Sequence, residues 1–292
     1  MNYADRLEAA VQAKSNPCLV GLDPHLQNIP GEFPAASDAS ASRAERAAAA
    51  GDFLCEVIDV VSALVPAVKP QSAFFEALGS AGVVQWERVV RRAREAGLIV
   101  IGDVKRGDIG STARAYADAF LGPEADACDA ITINPYLGSD SVEPFLDACR
   151  AHDKGLYVLV RTSNPSSSEF QTAGDPPLAE RVAAAVDRWG AELVGASGLS
   201  AVGAVVGATH ASELADWRAK LPRTPFLLPG YGAQGAGAKD VIGGFLSGGR
   251  GALVNSSRGI LYAYEKDDDP SAWESSIVRE TTRLASALWR EE

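Results

Sequence analysis

What this sequence has little of already narrows what it can do. Cysteine and histidine are scarce: Cys18, Cys55, Cys128 and Cys149 form no CxxC pair, and His25, His152 and His210 share no metal-ligand spacing with them. The expectation is buried, reduced thiols, with no metal and no cofactor fingerprint. Positive charge is also short, since 27 Lys and Arg against 38 Asp and Glu leave a net charge of −11. That is the wrong sign for gripping a nucleic-acid backbone or an anionic membrane surface, so neither is expected as a partner. A small anion can still bind, because a few local cations and backbone N–H groups decide that. No apolar run approaches the roughly 18 residues a bilayer requires. The opening segment MNYADRLEAAVQAK carries charge from position 5 and lacks the basic-then-apolar order of a signal peptide, so a cytoplasmic location is expected.

What is present is apolar and regularly spaced. Of 292 residues 47% are hydrophobic, enough for the core of one large α/β domain or two small ones. Eight short apolar, β-rich runs recur at Cys18–Leu22, 64–68, 98–102, 130–134, 155–160, 201–208, 225–228 and 251–254. Helical segments alternate with them, at 41–62, 80–96, 111–121, 142–151, Leu178–Gly190, 211–221 and 239–246, and Tyr3–Lys14 precedes the first. Continuous apolar strands separated by helices suit a parallel sheet covered on both faces. Eight of them predict a closed (β/α)8 TIM barrel with an N-terminal helix before strand 1, spanning residues 1–292 as one catalytic domain. An open doubly wound sheet competes, but its first turn would carry GxGxxG, and here that turn reads GLDPHL. The stretches 163–177 and 230–237 read as mobile loops at the barrel's C-terminal mouth, and the acidic run 267–269 as a solvated turn.

The most informative stretch is LIVIGDVKRGDIGST, in which a strand that should be wholly apolar ends in Asp103, Lys105 and Asp108. Strand alternation aims Asp103 and Lys105 into the mouth and Val104 outward. Lys69 ends the second strand in the same way, and Asp23 the first. Charges at that depth are costly unless they are paired or used. A plain ion pair closing the barrel top is one reading; a preorganised electrostatic device is the other. A lysine flanked by Asp103 and Asp108 is held protonated, which suits a proton donor and argues against a Schiff-base aldolase. A second feature is an anion site: PGYGAQGAG follows strand seven, and NSSRG follows strand eight with Arg258, where barrels commonly hold phosphate.

The run DVKRGDIGST resembles the signature of the orotidine 5′-phosphate decarboxylase family, Asp-x-Lys-x-x-Asp-Ile-x-x-Thr. VGLDP, AVKPQSAFFE, VRTSNP, LLPGYGAQGA and NSSRGILYA are similar, in the same order, to its other active-site segments, and the KPQSAFFE form resembles the longer branch of the family. The resemblance implies decarboxylation of orotidine 5′-monophosphate to uridine 5′-monophosphate and CO2, the last step of de novo pyrimidine nucleotide synthesis, without a cofactor. It assigns Lys69, Asp103, Lys105 and Asp108 to an alternating charged tetrad, with Lys105 donating the proton. It implies a homodimer in which Asp108, Ile109 and Thr112 complete the neighbouring subunit's site. It matches Asp23 to a ribose contact, Ser163 to a pyrimidine contact, and Gln234, Arg258 and the backbone near Gly235 and Gly259 to the phosphate grip. Taken alone, Ser163 could be a turn former, Gln234 a solvated loop residue and Asp23 a turn cap. The rival readings are a sugar-phosphate decarboxylase or epimerase on the same barrel, which would recruit Mg²⁺, the aldolase, and a barrel that only binds a phosphate ligand.

Overall fold

The computed structural model describes residues 1–232, 237–267 and 269–289. Eight parallel strands close on themselves in sequence order. They are β1 (Cys18–Leu22), β2 (Ala67–Pro70), β3 (Ile99–Arg106), β4 (Ala130–Ile133), β5 (Gly155–Arg161), β6 (Val202–Val206), β7 (Phe226–Leu228) and β8 (Ala252–Ser256). The open sheet is thereby excluded: β1 pairs with both β2 and β8.

Side-chain alternation sorts the strand residues into two cores. Inward positions Leu19, Ala67, Ile99, Ile101, Ala130, Tyr157, Val205, Leu227 and Leu253 fill the barrel, and Tyr3, Leu7 and Val11 of the helix Tyr3–Lys14 join them. That helix thus seals the N-terminal end, and the barrel's interior is a packed core. Outward positions such as Val20, Val68, Val100, Ile131, Val158 and Val254 pack beneath the helical ring.

Several boundaries differ from the sequence reading, each for a local reason. Strand β2 starts at Ala67, because Leu64 and Val65 still bond back to Val61 in the turn that ends the helix Arg43–Val61. Lys69 therefore lies inside the strand. The segment expected as helix 239–246 is a short helix, Ala238–Val241, followed by a 3-10 turn over Ile242–Gly244, where two glycines weaken the helix. The stretch 163–177 is partly ordered, with a 3-10 turn Pro165–Ser167 and a helical turn Ser168–Gln171. The expected loop 230–237 includes 233–236, outside the described residues. In the acidic run, Asp267 pairs with Arg279 and Asp269 caps Ser271; Asp268 lies outside the described residues.

A C-terminal helix, Trp273–Leu288, was not read from the sequence. Its buried stripe includes Ser276 and Thr281 beside Trp273, Ile277, Leu284 and Leu288, so hydroxyls dilute the apolar period that would have marked it. Trp273 anchors it: the buried indole stacks edge-on against Phe53 at 5.4 Å and Phe33 at 6.2 Å, and its N–H donates to Glu32 at 3.0 Å. Removing a buried indole costs about 3–5 kcal/mol. Trp273→Ala should accordingly lower the urea unfolding midpoint by a large margin; a midpoint unchanged from the parent would mean that the helix is peripheral to the fold.

Candidate active site

The inward alternation that fills the barrel with apolar side chains changes character one layer higher. At the mouth the inward positions are Asp23 beyond β1, Lys69 on β2, Asp103 on β3 and Thr132 on β4. Asp103 is the hub. Its carboxylate accepts from Lys69 Nζ at 2.8 Å, from Lys105 Nζ at 2.5 Å and from the Thr132 hydroxyl at 2.9 Å. Burial pushes this carboxyl upward, but the two ammonium groups outweigh it and hold Asp103 well below the usual carboxylate range. Burial likewise works against the Lys69 ammonium, yet the carboxylates of Asp103 and Asp23 turn the net shift upward. Both groups are therefore charged at neutral pH, in a place where an unpaired charge would be costly.

The approach of Lys105 needs an irregular strand. Between Gly102 and Arg106 the pairing of β3 with β4 slips, and Lys105 takes a φ of 44°, in the left-handed region that side chains other than glycine rarely occupy. Simple alternation thus reached the right destination for Lys105 by the wrong geometry. Thr132 holds the distortion in place: its hydroxyl accepts the Lys105 backbone N–H at 3.0 Å while donating to Asp103. Thr132 is the residue that the sequence reading missed, and the signal was there, a lone hydroxyl at an inward position of AITI. Val104 packs outward with the helices, as expected.

Asp108 does not join this cluster within the chain. It is half-buried, and its carboxylate accepts the backbone N–H of Ile109 at 2.8 Å. Ile109 and Thr112 are exposed. The flanking of Lys105 by two aspartates is therefore realised by Asp103 alone within one chain.

Two cavities open near the mouth, one of them against the cluster. One of about 390 Å³ is lined by Lys69, Asp103, Lys105, Thr132, Ser163 and Leu227 among others, which places Ser163 across from the charges. The other, about 590 Å³, lies at the ends of β7 and β8 and is lined by Tyr231, Gly232, Ser256, Arg258, Gly259 and Tyr262, with His25 on the β1 side. Gln234 and Gly235 lie outside the described residues. Tyr262 ties the second cavity to the end of β1, accepting the His25 backbone N–H at 2.8 Å and donating to the Asp23 carbonyl at 2.9 Å. Asp23 Oδ1 and Asn255 Oδ1 are buried and unpartnered among the described residues. Such atoms cost stability unless a ligand or water satisfies them.

A closed barrel with a buried ion pair and a separate cavity lined by Arg258 at its C-terminal mouth has the layout of an enzyme that acts on a small molecule. A family model described as orotidine 5′-phosphate decarboxylase / HUMPS family matches residues 18–271, and the chain belongs to that family. It is 43% identical over 301 residues to an orotidine 5′-phosphate decarboxylase of Rhodopirellula baltica, covering 99% of each chain. It is 48% identical over 210 residues to that of Deinococcus radiodurans, covering 70% of this chain and 76% of the other. A crystal structure described as a putative orotidine 5′-phosphate decarboxylase from Streptomyces avermitilis superposes with a TM-score of 0.79 at 36% identity, covering 98% and 96% of the two chains.

The ion-pair geometry has a pH signature. Asp103 titrates below an ordinary carboxyl in the folded chain, so the stability it contributes is complete above about pH 4 and is lost as the pH falls toward its lowered value. Asp103→Asn strands the buried Lys69 ammonium and should cost about 3–5 kcal/mol at pH 7. The gap between parent and variant should then narrow below about pH 4 in urea titrations. A gap that stays constant down to pH 2.5, about a unit and a half lower, would show that Asp103 is not held ionised by the pair.

Proposed function

We propose that this protein decarboxylates orotidine 5′-monophosphate to uridine 5′-monophosphate and CO2, with no cofactor. The observation that carries the reading is the buried Asp103 carboxylate bonded to Lys69 and Lys105 at the edge of a cavity large enough for a pyrimidine ring. In this reading Asp103 lies against the substrate carboxylate, and Lys105 lies beside the ring carbon that carries it. The bond from that carbon to CO2 breaks, its electron pair stays on the ring, and a proton moves from the Lys105 ammonium to the carbon. Ser163 reads the pyrimidine, Asp23 with its unpartnered oxygen takes a ribose hydroxyl, and Arg258, Gln234 and the backbone of Gly235 and Gly259 hold the phosphate.

Magnitudes rank these contributions. Two like charges about 4 Å apart at an effective dielectric near 20 repel by roughly 4 kcal/mol, about three decades of rate. Enzymes commonly supply roughly 8–23 kcal/mol, so crowding of the substrate by Asp103 is the smaller part. The fixed Lys105 ammonium, bonded to Asp103 before substrate arrives, supplies stabilisation without reorganisation. Binding energy at the remote phosphate adds to it by holding the ring against the cluster.

The reading extends to a homodimer in the cytoplasm. Asp108, Ile109 and Thr112 stand away from their own chain's cluster, and the adjoining loop after β4 exposes Tyr136 and Leu137, 81% and 49% accessible. Gly107 of the first loop abuts Asn134 of the second, so these residues form one apolar and acidic rim. A second copy covering that rim would receive Asp108 in its own site. All four cysteines are free thiols, which suits a reducing compartment.

Loss of the orotate absorbance band when the purified protein meets orotidine 5′-monophosphate in the presence of a chelator tests the reaction. No loss would refute it. Lys105→Ala and Asp108→Ala should each be inactive alone, whereas dimers mixed from the two should regain activity; no recovery after proven subunit exchange would return Asp108 to its own site. Arg258→Ala should lower kcat/KM far beyond about threefold, and a smaller loss would break the link between phosphate grip and catalysis.

A further inference from the structure

The segment that carries Ser163 is held by a buried cation that the decarboxylation reading leaves unused. Arg161 ends β5 with its guanidinium buried, after a slip in the pairing with β6 between Leu159 and Arg161. The guanidinium spends its donors in three directions. It donates to the Ser167 hydroxyl at 2.7 Å, to both carboxylate oxygens of Glu213 at 3.1 and 3.3 Å, and it meets His210 Nδ1 at 3.4 Å. His210 turns its other ring nitrogen to the Thr162 carbonyl at 2.9 Å, so Nε2 carries the proton and Nδ1 accepts from Arg161.

These contacts converge on the root of one loop. Gln171 closes it from the far side, its carboxamide bonding the Thr162 N–H at 2.9 Å and the Thr162 hydroxyl at 2.7 Å. On the β6 side Gly207 leaves no room for a side chain, because a Cβ there would stand 2.8 Å from Ser163 Cα. Ser163 thus lies two residues beyond the anchored Arg161 and against Gly207 of the segment after β6, so its position is set before any ligand arrives. A surface ion pair would not need this arrangement; a guanidinium forked between two loops and a helix fixes their mutual placement.

We propose that Arg161 is a positioning residue for pyrimidine recognition: through Ser167, Glu213 and His210 it locks the β5 loop so that Ser163 faces the ring cavity. The inference rests on the reading of Ser163 as the pyrimidine contact. It predicts a loss confined to ligands that carry the base, because the phosphate cavity lies across the mouth, at β7 and β8.

The test compares the binding of uridine 5′-monophosphate and ribose 5-phosphate by calorimetry to the parent, Ser163→Ala, Arg161→Met and Ser167→Ala. The last keeps the Arg161 to Glu213 pair and removes only the loop-side acceptor, so it should stay folded even if Arg161→Met does not. Ser163→Ala and Arg161→Met should each weaken the nucleotide by roughly tenfold, and Ser167→Ala by less, while ribose 5-phosphate binds all four proteins alike. The double variant Arg161→Met with Ser163→Ala should lose little more than either single one, since both act on the same contact. If Ser163→Ala weakens the nucleotide but Ser167→Ala and any folded Arg161 variant do not, the positioning role is overturned while the pyrimidine contact stands. If Ser163→Ala leaves the nucleotide unaffected, the pyrimidine contact falls and the positioning role falls with it. Equal weakening of both ligands would reduce Arg161 to a structural ion pair.

Discussion

Burying a carboxylate between two ammonium groups is the constraint on which the rest of this molecule depends. Asp103 is sheltered from water and stays ionised because Lys69 and Lys105 stand against it, and the buried Lys69 would not tolerate its depth without it. The geometry has to be built. Strand β3 slips against β4, Lys105 adopts a left-handed backbone, and Thr132 bonds both the Lys105 N–H and the Asp103 carboxylate to hold the slip. Local strain of this kind persists only where neighbours over-determine it, and it clusters where chemistry is done.

Beyond that cluster the mouth of the barrel carries two separate cavities. Charge sits on β2 and β3, with Ser163 opposite; the second cavity sits at β7 and β8, lined by Arg258 and Gly259. Tyr262 connects the pocket to the end of β1 through His25 and Asp23, and the C-terminal helix, pinned by Trp273, closes the pocket's outer wall with Leu284. In the proposed reaction, substrate binding energy gathered at one end would act at the other through these elements.

Much of this was legible in the sequence, and the exceptions follow a pattern. Continuous apolar strands between helices carried the barrel, and charges that interrupt such strands at Asp23, Lys69 and Asp103 carried the site, because burying a charge is too costly to be incidental. Thr132 escaped notice because a single hydroxyl in a strand is unremarkable until its neighbours are known. Arg161 escaped for the same reason: its worth comes from Ser167, His210 and Glu213, which lie on three other elements. The start of β2 and the helix after residue 272 were misplaced or missed where pairing and packing, rather than local pattern, decide the outcome. The relation of Asp108 to Lys105 is of another kind, since one chain alone leaves the two apart.

The most direct measurement is a crystal structure of the protein with uridine 5′-monophosphate bound. The ring carbon that receives the proton should stand within about 3–3.5 Å of Lys105 Nζ, with that amine still bonded to Asp103 and the phosphate against Arg258. A nucleotide seated in the anion pocket with its base turned away from Lys105, or a Lys105 released from Asp103 into solvent, would contradict the charge cluster as the seat of the reaction.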